Sequence, residues 1–110
     1  AGEPVCYLVS GDLAHIGPKF GDPDPVTEAT LAVSRHQDDK LLNRLAAADH
    51  AGFFAAVADE GDERRICGLS PAWVALAAAR PRSGRVLHYQ QYAHPKGHES
   101  VSFAAAGFYA

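Results

Sequence analysis

The chain has 110 residues, a formal net charge of −3 and 47% hydrophobic residues, enough for one soluble globular domain over 1–110. Its charges are mixed along the sequence rather than clustered, which argues against nucleic acid as a partner, and no run approaches the roughly 18 apolar residues of a membrane span. The densest charged segment, Asp59 to Arg65, reads as a solvated loop, and no basic, apolar, then small-residue leader opens the chain, so cytoplasmic residence is the expectation.

In chain order, Val5-Cys6-Tyr7-Leu8-Val9 is a run of strand formers without strict alternation, as suits a buried strand. It breaks into Ser10-Gly11-Asp12-Leu13-Ala14-His15-Ile16-Gly17, and open α/β sheets bind ligands beyond the carboxyl ends of such strands, which is where Asp12 and His15 fall. Gly17 to Pro25 is too rich in Gly and Pro for regular structure and should form an ordered loop over that site. From Val26 to Ala48, Ala29, Leu31, Ala32, Val33, Leu41, Leu42, Leu45 and Ala46 recur at near-helical spacing, with a break expected around His36 to Asp39. Asp49 can cap a further helix that buries Phe53, Phe54 and Val57 and ends at Gly61. Ser70 and Pro71 suit the N-cap and first position of another helix, with Trp73, Val74 and Ala77 as its buried stripe and Pro81 as its stop. Arg85–Ala93 and Ser100–Tyr109 alternate as strands and should pair as an antiparallel hairpin across His94-Pro95-Lys96-Gly97-His98.

Three groups of residues bear on chemistry. The i to i+3 spacing of Asp12 and His15 lets a carboxylate orient an imidazole, fixing its tautomer for acid/base work or metal ligation; the same residues also suit a turn cap and a boundary polar side chain. Cys67, just ahead of a helix start, is placed to act as a thiolate ligand or nucleophile, although free cysteines also serve as inert packing residues, the role that fits Cys6. Two cysteines do not make a disulfide scaffold, and His88, His94 and His98 lack the cysteine and histidine pairs of a structural zinc site. Phosphate-loop, dinucleotide-binding and nucleophile-elbow motifs do not occur.

Taken together in order, Ser10-Gly11-Asp12-Leu13-Ala14-His15-Ile16-Gly17, Ile66-Cys67-Gly68-Leu69-Ser70-Pro71, Tyr92-Ala93 and Ser100-Val101-Ser102-Phe103-Ala104 resemble the Memo-like protein family, that of AmmeMemoRadiSam system protein B. The resemblance implies an α/β fold related to class III extradiol dioxygenases, here its C-terminal third or so: one buried strand, three or four helices and a C-terminal antiparallel strand pair. It also implies His15 as acid/base with Asp12 beside it, Cys67 as a metal ligand where the dioxygenases use a carboxylate, and ferrous iron or copper as cofactor. A thiolate ligand shifts preference toward softer, redox-active metals, so ring-cleaving dioxygenation does not follow automatically. The family's remaining ligands are histidines of an upstream half, and Ala1 to Ser10 contains none. The expectation is therefore a fragment or C-terminal domain whose site is completed by that half, by another copy of the chain, or by His88, His94 or His98. Two functions fit: a metal-dependent oxidoreductase, or a module that binds a peptide or small ligand without turnover.

Overall fold

The computed structural model describes residues 10–109, so the expected strand Val5–Val9 and Cys6 lie outside the described residues. The fold is α/β. A two-residue strand β1 (His15–Ile16) is followed by a 3-10 turn at Pro18–Phe20, three helices α1 (Glu28–Ala46), α2 (His50–Asp59) and α3 (Leu69–Ala79), and two long strands β2 (Ser83–Ala93) and β3 (Ser100–Tyr109). The strands form one sheet in the order β1-β3-β2. Both pairings among the described strands are antiparallel. The hairpin pairs Ala93 with Ser100 and Ser83 with Tyr109, with an irregularity between Val86 and His88.

The core is Leu13, Ala14, Leu41, Leu42, Phe53, Val57 and Ile66, with Val86, Tyr89 and Ala104 of the sheet packed against it. Leu13 and Ala14 enter it because they run alongside β3: Leu13 N–H donates to Ser102 O and Ser102 N–H donates to Ala14 O. Asp12, exposed, and His15, half-buried, flank that buried pair, so the polar groups stand at the surface on either side of an anchored segment.

Helix α1 starts at a capping box between Thr27 and Thr30 and runs unbroken through His36 to Asp39. The expected break is absent because the inward stripe of α1 is itself polar there. Ser34 and Asp38 are buried, and Asp38 receives hydrogen bonds from Arg64 Nη1 at 2.6 Å and from the Tyr89 hydroxyl. Arg64 also bonds the Ser34 carbonyl and hydroxyl, and its Nε and Nη2 reach Glu60 at 2.8 and 3.0 Å. The charged segment Asp59 to Arg65 is accordingly not a solvated loop throughout: Asp62 and Glu63 are exposed, but Arg64 is buried as the partner of a carboxylate it must neutralise. Burial alone would make the Arg64 cation less favourable, but its bonds to Glu60 and Asp38 outweigh that and hold it charged. Burial first, and then the bond to Asp38, keep the Tyr89 phenol protonated.

Asp49 caps α2 through Gly52 N–H as its position suggests, and Gly61 follows the helix with φ of 67°. Phe53 and Val57 are buried, whereas Phe54 is 54% exposed. Helix α3 begins two residues earlier than Ser-Pro implies: Gly68 is the N-cap, and Ser70 and Pro71 are its second and third residues, where a missing N–H costs nothing. Its buried residue is Leu76, and Trp73 and Val74 are exposed. The side of α3 that packs carries Leu69, Ala72 and Leu76 at i, i+3 and i+7, and Trp73 and Val74 face outward beside Phe54. No helix of the described residues is long and apolar enough to cross a membrane.

Candidate metal centre

Asp12 and Cys67 are 55 residues apart in sequence and meet because two glycines let the backbones touch. Gly68 N–H donates to Asp12 O at 2.7 Å, and a Cβ on Gly68 would lie 2.7 Å from that same oxygen; a Cβ on Gly11 would lie 2.8 Å from Gly68 Cα. Asp12 N–H in turn donates to Cys67 Sγ at 3.1 Å. Cys67 is a free, exposed cysteine held by its main chain rather than by core packing, which sets aside its reading as an inert buried residue.

His15 is fixed from the other side. Its Nδ1 lies 3.0 Å from the carbonyl oxygens of both Leu13 and Arg65. Carbonyls only accept, so this network assigns a proton to Nδ1, and in the neutral ring the lone pair is on Nε2. Nε2 faces Asp12 Oδ2 at 3.9 Å, and Phe20 packs edge-on against the ring at 5.3 Å between centroids. The Gly17–Pro25 segment, expected as an ordered loop over the site, thus touches it through Phe20.

One ligand atom from each of Asp12, His15 and Cys67 lies within 4.8 Å of the others, and this is the one such group of His, Cys, Asp and Glu found among the described residues. In chemical terms a carboxylate oxygen, an imidazole lone pair and a sulfur converge, three electron donors with no cationic side chain among them. A proton or a metal cation between them would make that arrangement attractive. Tetrahedral coordination with bonds of about 2.0–2.3 Å separates ligand atoms by about 3.3–3.8 Å, so side-chain adjustments on the order of 1 Å suffice. The donor set therefore fits a transition metal, with the exposed side of Asp12 and Cys67 leaving room for further ligands.

The other candidates stand elsewhere. His94 and His98 stack on each other at the hairpin turn, with His94 Nδ1 accepting from Lys96 N–H, and His88 lies on β2 near Gln90. None joins the Asp12, His15 and Cys67 group. Sequence reasoning did not single out Arg65 or Asp22. Arg65 Nη1 donates to His15 O at 3.1 Å and its Nη2 to Asp22 Oδ1 at 3.0 Å, while Gly17 N–H donates to Asp22 Oδ2. The adjacent arginines before Ile66-Cys67-Gly68 were the available signal, but nothing in the sequence tells that one turns inward and the other toward the site.

Comparison with known proteins agrees with this anatomy. The family model for Memo-like proteins matches residues 2–109. A MEMO1 family protein of Thermus thermophilus is 31% identical over 104 residues, covering 94% of this chain and 29% of the relative. The chain thus spans less than a third of that relative's length. With the match running through the Asp12 turn, the Cys67 turn and the hairpin alike, the chain belongs to the Memo-like protein family.

Proposed function

We propose that Asp12, His15 and Cys67 form one wall of a non-haem iron or copper site in a metal-dependent redox protein. The observation that carries this reading is the convergence of three lone-pair donors within 4.8 Å, one of them an imidazole whose other nitrogen is already committed to main-chain carbonyls. A histidine that donates through Nδ1 and ligates through Nε2 is the ordinary arrangement at metal sites. The cysteine favours a soft or redox-active ion, and bound iron or copper would supply one-electron chemistry there. Asp12, half-exposed beside the imidazole, is placed to ligate or to exchange a proton with His15 Nε2. These three donors leave coordination positions for further ligands. Anaerobic titration with ferrous and cuprous ions tests the proposal: stoichiometric binding should be lost in Cys67→Ser and His15→Ala, and binding indifferent to both substitutions refutes it.

A second reading has one observation in its favour. An open apolar groove lined by Phe54, Leu69, Trp73 and Val74 begins on the same first turn of α3 that follows Cys67, as a small-ligand or peptide module requires. Ligand binding that survives chelation and both substitutions would favour the module, and loss in every case would count against it.

A further inference from the structure

Arg65 is one of the non-glycine residues with positive φ, at 55°. A left-handed backbone costs an L-residue roughly 1–2 kcal/mol and persists where surrounding contacts enforce it. Here the contacts are identifiable. Arg65 N–H is bonded to Asp62 O, and Ile66 N–H to Asp62 Oδ1 at 2.9 Å, which closes the turn. The preceding residue is anchored in the core by its side chain and accepts His15 N–H on its carbonyl at 2.6 Å. The reversal at Arg65 then aims the next carbonyl at His15 Nδ1. Its guanidinium returns to the same histidine from the opposite end, bonding the His15 carbonyl and reaching on to Asp22, whose second oxygen holds Gly17 N–H. One residue therefore grips His15 by ring and by main chain and ties both to the segment that carries Phe20.

We propose that Arg65 is the positioning residue of this site: with Asp22 it locks His15 in the Nδ1–H tautomer and presents Nε2 toward Asp12 and Cys67. The inference rests on the metal reading above, but its first test does not need a metal. Arg65 and Asp22 are part-exposed, so their replacement leaves the core intact. Without the guanidinium bonds the turn, still closed by Asp62, loses its tie to the His15 main chain and to Asp22, so the ring shifts against the Leu13 and Arg65 carbonyls and His15 samples the other tautomer. Outer partners of ligating histidines typically contribute 10–100-fold in metal affinity.

The experiment pairs two readouts on the full chain. Nitrogen-15 imidazole spectra of the metal-free protein should show a single Nδ1–H tautomer at His15 in the parent and a mixture in Arg65→Ala, with Arg65→Lys between them because a lysine restores the charge pair but not the planar fork. Anaerobic ferrous titration should show at least a 10-fold rise in Kd for Arg65→Ala and for Asp22→Asn. If both variants bind ferrous iron as the parent does while His15→Ala and Cys67→Ser do not, the metal reading stands and the role of Arg65 is overturned. If the parent itself binds no iron, the metal reading fails, and the tautomer spectra decide alone: a mixture in Arg65→Ala supports the positioning role, and an unchanged single tautomer overturns it.

Discussion

Replacing Asp38 by alanine should be among the most damaging single changes in this chain. Asp38 is 0% exposed, and Arg64, its partner, is a buried cation. Removing one member of a buried pair costs about 3–5 kcal/mol, because the other is left uncompensated. The lower end applies, since Arg64 retains Glu60 and both oxygens of Ser34. The Tyr89 hydroxyl loses its carboxylate as well, for a further loss of about 1 kcal/mol. The sum, about 4 kcal/mol, is a large share of the 5–15 kcal/mol typical of a domain. In urea, with a slope of about 1.5 kcal/mol/M, the midpoint should fall by about 2.5 M. Tyr89→Phe is the internal control and should cost about 2 kcal/mol, the loss of one hydrogen bond to a charged group. Asp38→Asn, which keeps the shape and loses the charge, should fall between. If Asp38→Ala and Tyr89→Phe proved equal, Arg64 would not be buried against this carboxylate, and the account of α1 given above would be wrong.

Further outcomes follow from the same geometry. Gly68→Ala forces a methyl group to within 2.7 Å of the Asp12 carbonyl, so it should cost about 1–3 kcal/mol in chemical denaturation and weaken metal binding in parallel; a variant as stable as the parent would show that the Asp12 and Cys67 turns are not in contact. Phe53→Ala, at a side chain 1% exposed, should cost about 3–5 kcal/mol in the same assay, and a loss below about 1 kcal/mol would remove Phe53 from the core. The Arg65 guanidinium first, and Gly17 N–H next, hold the Asp22 carboxyl below its ordinary range. A carboxyl lowered in the folded state stabilises fully above its unfolded pKa of about 4 and loses that contribution as pH falls through the folded value. Stability measured against pH should therefore drop less steeply below pH about 4 in Asp22→Asn than in the parent, and identical acid limbs would contradict the Arg65 contact.

What could be read from the sequence was local. The hairpin between Arg85 and Tyr109 and the Asp49 cap of α2 each depend on a few adjacent residues, and each takes its expected place, whereas the segment after Ser10, expected as a polar turn, buries Leu13 and Ala14 and pairs His15–Ile16 with β3. Features that depend on a distant partner were not legible. Asp38 in the middle of α1 looks like a helix interruption until Arg64 and Tyr89 are brought to it, and Arg64 looks solvated for the same reason. Trp73 and Val74 look buried because they are large and apolar, yet the side of α3 that packs carries Leu69, Ala72 and Leu76. At the site, the residue types and spacing suggested a histidine oriented by its neighbour Asp12, whereas main-chain carbonyls of Leu13 and Arg65 perform that task and leave Asp12 facing Nε2. No local pattern encodes the left-handed turn at Arg65 or the glycine contact that carries Cys67 to Asp12.

The most direct test of the central claim is X-ray absorption at the metal edge of the copper-loaded or iron-loaded chain. The parent should show a sulfur scatterer at about 2.3 Å that disappears in Cys67→Ser, together with imidazole scattering that disappears in His15→Ala. A parent spectrum containing oxygen and nitrogen neighbours alone, unchanged by either substitution, would contradict it.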